Sequence, residues 1–203
     1  MVTPGRDRLA GTIEVDESYI GGEKPGKRGR GAAGKALVVI AVEINEARIG
    51  RIRLQRVPDA SATSLEEAVK TATDQGSLIR TDGWGSYSQL GNLGYIHDIA
   101  REEANIGKNL LPSCHRVASL LKRWLMGTHQ GAVSHEHLDY YLDEFTFRFN
   151  RRTSNSRGML FYRLLQNAVV VDPTTFKQMA KHVRGRKPHD HNIYRTKVPN
   201  LLF

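Results

Sequence analysis

The chain has 203 residues, 39% of them hydrophobic, and 30 Lys and Arg against 21 Asp and Glu give a formal net charge of +9. That apolar content supports one main domain with a buried core, and the cationic excess favours a polyanionic partner, with nucleic acid the leading class. The longest apolar run, Ala36–Val42, falls far short of the roughly 18 residues of a membrane span, the opening MVTPGRD lacks the apolar stretch of a secretory signal, and the lone Cys114 excludes an intramolecular disulfide, so a reducing cytoplasm is expected.

Taken in chain order, TIEVDESYI (12–20) alternates β-branched or aromatic residues with acidic ones, the pattern of a half-buried strand with Asp16 and Ser18 on one face. GGEKPGKRGRGAAGK (21–35) is too rich in glycine and charge to pack and predicts a long basic hairpin loop. ALVVIAVEI (36–44) predicts a strand buried on both faces and RIGRIRLQRV (48–57) an alternating one, which completes a three-strand meander. Ser61 or Thr63 can cap a helix running to about Thr73, with Leu65, Ala68, Val69 and Ala72 on one stripe and Gly76 closing the segment. SLIRTD (77–82) predicts a short buried strand with Asp82 at its C-terminal tip, and YIHDIA (95–100) a further strand. Three helical patterns then close the domain: Val117, Leu120, Leu121 and Trp124; Leu138, Tyr141, Leu142, Phe145 and Phe149; and Leu160, Phe161, Leu164, Leu165 and Ala168. Strands first and helices last predict an α/β (α+β) layered arrangement. Beyond Asp172 the chain is charged and aperiodic, a basic extension.

GRGAAG (29–34), extended by Lys35, has the spacing of phosphate-binding glycine loops. Such loops open a helix, whereas a strand follows here and Ala36 lacks the metal-binding hydroxyl, so nucleotide binding is excluded at this position. Asp16 and Asp82 are placed within or at the end of apolar strands, where a carboxylate needs a compensating partner. Two readings stand at this point. A pair of such aspartates can hold a divalent metal for phosphoryl transfer, or Asp16 is the polar face of an edge strand and Asp82 begins an Asp-Gly turn. The histidine pairs His135 with His137 and His189 with His191 lack zinc-site spacing and read as capping or solvated residues. Trp84 and Tyr87, beside Asp82, read as packing residues before base-stacking ones.

In that order, VDESYIGG (15–22), TDGWGSY (81–87) and LLKRWLMGTHQGAVSHEHLDYYLDEFTFRFNRR (120–152) resemble insertion-sequence transposases of the IS fifteen-ninety-five group, over roughly residues 12–170. The resemblance implies a DDE-type transposase catalytic domain of RNase H-like fold at 12–171, a mixed sheet with a helical C-terminal layer, between a stub at 1–11 and the extension at 172–203. It implies cleavage at transposon ends and strand transfer into target DNA, with Asp16 and Asp82 as the first two metal ligands. The family's usual third ligand is a glutamate seven residues before a lysine; counting back from Lys122 gives His115. Seven residues is about two helical turns, so the two share a face. The implied triad is Asp16, Asp82 and His115, with Mg²⁺ or Mn²⁺ as cofactor, imidazole suiting the transition metal better. His115 as a helix-start residue after Pro112 and Ser113 stays open. Glu144, the competing acid, forms an i, i+4 pair with Arg148 and reads as structural.

The DNA contacts expected are Lys24, Lys27, Arg28, Arg30 and Lys35 in the loop, Lys122 and Arg123, and Arg148, Arg151 and Arg152 with Asn150. The partners implied are transposon-end and target DNA, with a homo-oligomer assembled on DNA in a nucleoid-associated, bacterial cytoplasmic setting. Members of the group usually carry a zinc ribbon or helical DNA-end-binding segment ahead of the core, whereas this chain begins about a dozen residues before the first strand with one cysteine. A truncated, non-catalytic DNA-binding remnant, and an RNase H-like nuclease without strand transfer, are the alternatives.

Overall fold

The computed structural model describes residues 8–21, 35–46, 48–100, 109–129 and 137–170. Five strands form one sheet: β1 (Thr12–Ile20), β2 (Ala36–Asn45), β3 (Arg48–Val57), β4 (Leu78–Thr81) and β5 (Ile96–Ile99), ordered β3-β2-β1-β4-β5. The first three pair antiparallel as the expected meander, whereas β1–β4 and β4–β5 are parallel. The sheet is therefore mixed, as expected of an α/β RNase H-like fold.

Helix α1 (Ala62–Ala72) starts where the sequence predicts: the Ser61 hydroxyl accepts from the Ser64 amide, and the stripe Leu65, Ala68, Val69 and Ala72 is buried. It packs with Ile13, Val15, Val39, Ala41 and Ile79 in one apolar cluster. Leu9, ahead of the first strand, is buried in the same cluster and bridges to Thr73. The second cluster sets Val38, Ile40, Val42 and Ile52 against α2 (Pro112–His129) and α3 (Leu138–Asn150), through Val117, Leu121, Leu125, Leu142 and Phe145. β2 contributes to both clusters because alternate residues face opposite sides, which explains its nearly unbroken apolar run. Each large aliphatic side chain so buried contributes roughly 1.5–3 kcal/mol.

One expectation needs correction. α4 (Arg157–Val170) forms, but it does not close the domain: Phe161, Leu165 and Val169 are exposed, and Leu160 and Leu164 are only half-buried. The periodic pattern dictates a helix, while the sheet face that would receive its stripe is already covered by α2 and α3. The free edge of β3 is closed differently. The Asn150 side chain accepts from the Ile52 amide at 2.7 Å and donates to the Ile52 carbonyl at 3.1 Å, while Arg152 donates to the carbonyls of Gly50 and Ile49. Two side chains expected to meet phosphate are thus engaged with backbone. The loop at 22–34, His135 and the tail with His189 and His191 lie outside the described residues.

Candidate active site

β1 presents Glu14, Asp16 and Ser18 on the side of the sheet that faces α2, one period-two row of polar residues, while Ile13 and Val15 on the other side enter the core. β1 and β4 run parallel with Glu14 opposite Arg80. Two residues further along both strands bring Asp16 and Asp82 side by side on one face. Asp82 follows the last residue of β4 and begins a tight turn, its Oδ1 accepting the Trp84 amide at 2.9 Å. Gly83 makes this turn possible. Its φ is +81°, and a Cβ there would fall 2.5 Å from Ile99 Cγ2, so both conformation and space require glycine. Thr81 steadies the same turn: its Oγ1 accepts the Gly83 amide at 3.2 Å and meets His97 Nε2 at 2.9 Å. Burial lowers the His97 pKa, against the opposing charge of Asp98.

The third group arrives on α2. Glu14 is almost fully buried, and its Oε2 accepts the amides of Ser113 at 2.8 Å and Cys114 at 3.2 Å, donors that the first turn of a helix leaves without intrahelical partners. A carboxylate of β1 thereby caps α2, and the positive end of the helix dipole favours it. One residue later His115 places Nε2 3.2 Å from Asp16 Oδ2. Asp16, Asp82 and His115 line one cleft of about 330 Å³ with Asn109, Leu110 and Leu111.

The electrostatics single out Asp16. Burial raises its carboxyl above the ordinary aspartate range, and the neighbouring Asp82 charge adds to this, while the Glu17 amide at 2.8 Å and His115 act in the other direction. Two carboxylates lining one cleft, with an imidazole against Asp16, are oxygen and nitrogen donors of the kind that suit a divalent cation. Asp16, Asp82 and His115 are therefore chemically fit to hold one. Among the described residues, no three His, Cys, Asp or Glu stand close enough together to hold an ion as placed. The oxygens of Asp16 face Glu17 and His115, and an oxygen of Asp82 faces Trp84.

Around this cleft the expected cations divide. Lys122 lies two turns along α2 from His115 with much of its side chain in solvent; partial burial lowers its ammonium pKa and the charge of Lys35 adds, while Asp16 opposes, so Lys122 feels the charges of both. Arg123 is exposed. Arg148 pairs with Glu144 at 2.8 Å, in keeping with a structural role for that acid. Lys24, Lys27, Arg28 and Arg30 lie outside the described residues. Tyr87 is fully buried, its hydroxyl donating to Glu17 Oε2 at 2.9 Å, whereas Trp84 is 37% exposed. Cys114 is no nucleophile: burial pushes its thiol well above the ordinary range, the charges of Asp16 and Glu14 add, and its Sγ donates to the Ile40 carbonyl.

Sequence reasoning missed Glu14. The signal available was the acid two residues before Asp16 on the same strand face, but its partners lie about 100 residues away.

The family model of the ISXO2-like transposase domain matches residues 8–150 of the chain. Among curated proteins the chain matches none. No described helix is long and apolar enough to cross a membrane.

Proposed function

Since this chain belongs to the ISXO2-like transposase domain family, we propose that it cleaves DNA at transposon ends and joins the freed 3′ end to target DNA. The observation that carries this reading is the meeting of Asp16, Asp82 and His115, from β1, the tip of β4 and α2, in one cleft. Asp16, Asp82 and His115 would hold a divalent ion, Mg²⁺ or Mn²⁺, whose chemistry is to activate the attacking oxygen and stabilise the leaving one. The protein's own residues do the positioning. Glu14 sets α2 against β1, and so His115 against Asp16. Gly83 and Thr81 hold the turn that presents Asp82. Lys122 and Lys35 supply positive charge beside the cleft for the DNA backbone. Hydrolysis and strand transfer are both in-line displacements and need no covalent protein intermediate, which accords with the inert thiol of Cys114. The setting is the bacterial cytoplasm, on nucleoid DNA, with the chain assembled as a homo-oligomer on its ends.

The test is incubation with candidate end DNA and target DNA in Mn²⁺ or Mg²⁺, comparing the parent with Asp82→Ala. Nicking and joining by the parent, abolished in Asp82→Ala, is the expected result. Nicking without joining would place the protein among RNase H-like nucleases. A second reading, a DNA-binding remnant without turnover, is favoured by the spacing of the three donors, which as placed do not converge to hold an ion. Binding without nicking under either metal would establish it.

A further inference from the structure

The apolar stripe of α4 is spent on nothing in the core. Successive residues turn by about 100° around a helix, so Phe161, Tyr162, Leu165, Ala168 and Val169 fall within one sector about 120° wide, centred on Leu165. All five are exposed, Phe161 by 67% and Val169 by 84%. Arg163 and Gln166 lie off the sector and Arg157 stands at its margin in the first turn, so the stripe itself carries no charge. A different side of the helix faces inward, where Leu160 and Leu164 are half-buried. The helix also lies beyond residues 8–150, which the transposase-domain model matches.

Two large rings and three aliphatic side chains, exposed to this degree, leave on the order of 500 Å² of apolar surface in water, near the most that a monomer carries. Two such faces together reach about 1,000 Å², the lower bound of a specific interface. The order of residues along the stripe fits it to a copy of itself. In an antiparallel pair with its two-fold axis at Leu165, positions three and four residues to either side share a layer. Phe161 then comes opposite Ala168 of the other copy, and Tyr162 opposite Val169, a ring over a small side chain each time. Parallel pairing would set ring against ring and Ala168 against Ala168, crowding one layer and emptying another. A net charge of +9 holds two copies apart elsewhere, so an uncharged face is where they can approach.

We propose that α4 pairs with α4 of a second copy of this chain, antiparallel about Leu165, to form a homodimer. The pairing rests on the homo-oligomer of the preceding reading and names the surface that makes it. Burial of the two stripes drives it, so it strengthens as the exposed rings leave water and does not require DNA. With an area at the lower bound, the dimer is a weak one, with a Kd on the order of 10 µM, and copies bound near one another on DNA would pair more fully.

The experiment is sedimentation velocity of the full chain without DNA, from about 1 to 100 µM in about 0.3 M salt, which screens the repulsion between copies. The parent should pass from monomer to dimer across that range. Leu165→Glu sets two carboxylates face to face on the axis and should weaken pairing about 100-fold; its circular dichroism should match the parent's, because Leu165 is already 48% exposed. Phe161→Glu should also dissociate the dimer, and adding Ala168→Lys, which places opposite charges in one layer, should bring the Kd back to within about tenfold of the parent's. A parent that stays monomeric overturns the proposal and assigns the stripe to another segment of the chain or to a different protein. A dimer untouched by Leu165→Glu, or no recovery in Phe161→Glu/Ala168→Lys, overturns it too. Nicking is followed in the same preparations: a parent that dimerises through α4 without nicking keeps the pairing and loses the catalytic reading, and a monomer that nicks does the reverse.

Discussion

Replacing Glu14 tests whether a strand carboxylate holds the helix that carries His115. Glu14→Gln keeps the size of the side chain and one carbonyl oxygen for the Ser113 and Cys114 amides, but removes the charge. A charge-assisted hydrogen bond is roughly twice as strong as a neutral one at about 1 kcal/mol, so two such bonds weaken together by about 2 kcal/mol. Loss of the favourable interaction with the helix N-terminus adds about 0.5 kcal/mol. Relief of the cost of burying a charge works against both, which leaves an expected net loss of about 1–2 kcal/mol. Urea unfolding followed by circular dichroism would show this as a midpoint lowered by about 0.5–1 M at an unchanged slope of about 2 kcal/mol/M. In Glu14→Ala no acceptor remains for the two amides and a void opens, so the loss rises to about 3 kcal/mol or more. A midpoint for Glu14→Gln within about 0.2 M of the parent would refute the capping argument, because the carboxylate would then add nothing that a neutral amide does not.

Gly83→Ala meets both a left-handed backbone and Ile99 at 2.5 Å; thermal melting should show a loss of about 2 kcal/mol or more, and a parental melting temperature would show that the Asp82 turn is not so constrained. Asn150→Ala strips the Ile52 amide and carbonyl of their partners, with an expected cost of about 1–3 kcal/mol by urea unfolding; no loss would mean that water serves β3 equally well. Glu43 gives a pH signature. Burial raises its carboxyl, but the hydrogen bonds and charge of Arg51 outweigh that and hold it below the ordinary glutamate range. Its stabilisation is therefore complete above the unfolded-state pKa and fades as pH falls through the lower folded-state value. Parent and Glu43→Gln should differ in stability near neutral pH and converge in acid; a gap that stays constant down to the acid limb would contradict the ion pair as its cause.

The strands were legible because alternation is a local signal, and the start of α1 because its cap lies three residues from its partner. Asp16 and Asp82 were legible as misfits, charges on apolar strands, though it took the ordered motifs to turn a misfit into a candidate ligand. What stayed hidden depends on contacts distant in sequence. Asn150 carries no mark that its amide answers Ile52 across 98 residues, so reading it as a phosphate contact was natural from its arginine neighbours. α4 was legible as a helix but not as one outside the core, because an apolar stripe does not say whether the surface it would meet is already occupied.

The seal on β3 bears on how copies of this chain can associate. An open edge strand invites another chain to extend the sheet, which is how many proteins aggregate. Here Asn150 and Arg152 occupy backbone groups of Ile49, Gly50 and Ile52 that an incoming strand would need. Among the described strands, the other outer position belongs to β5, which has only four residues. If copies assemble on DNA as proposed, β3 is closed to them as a route to a continuous sheet, and contacts between them fall to other elements.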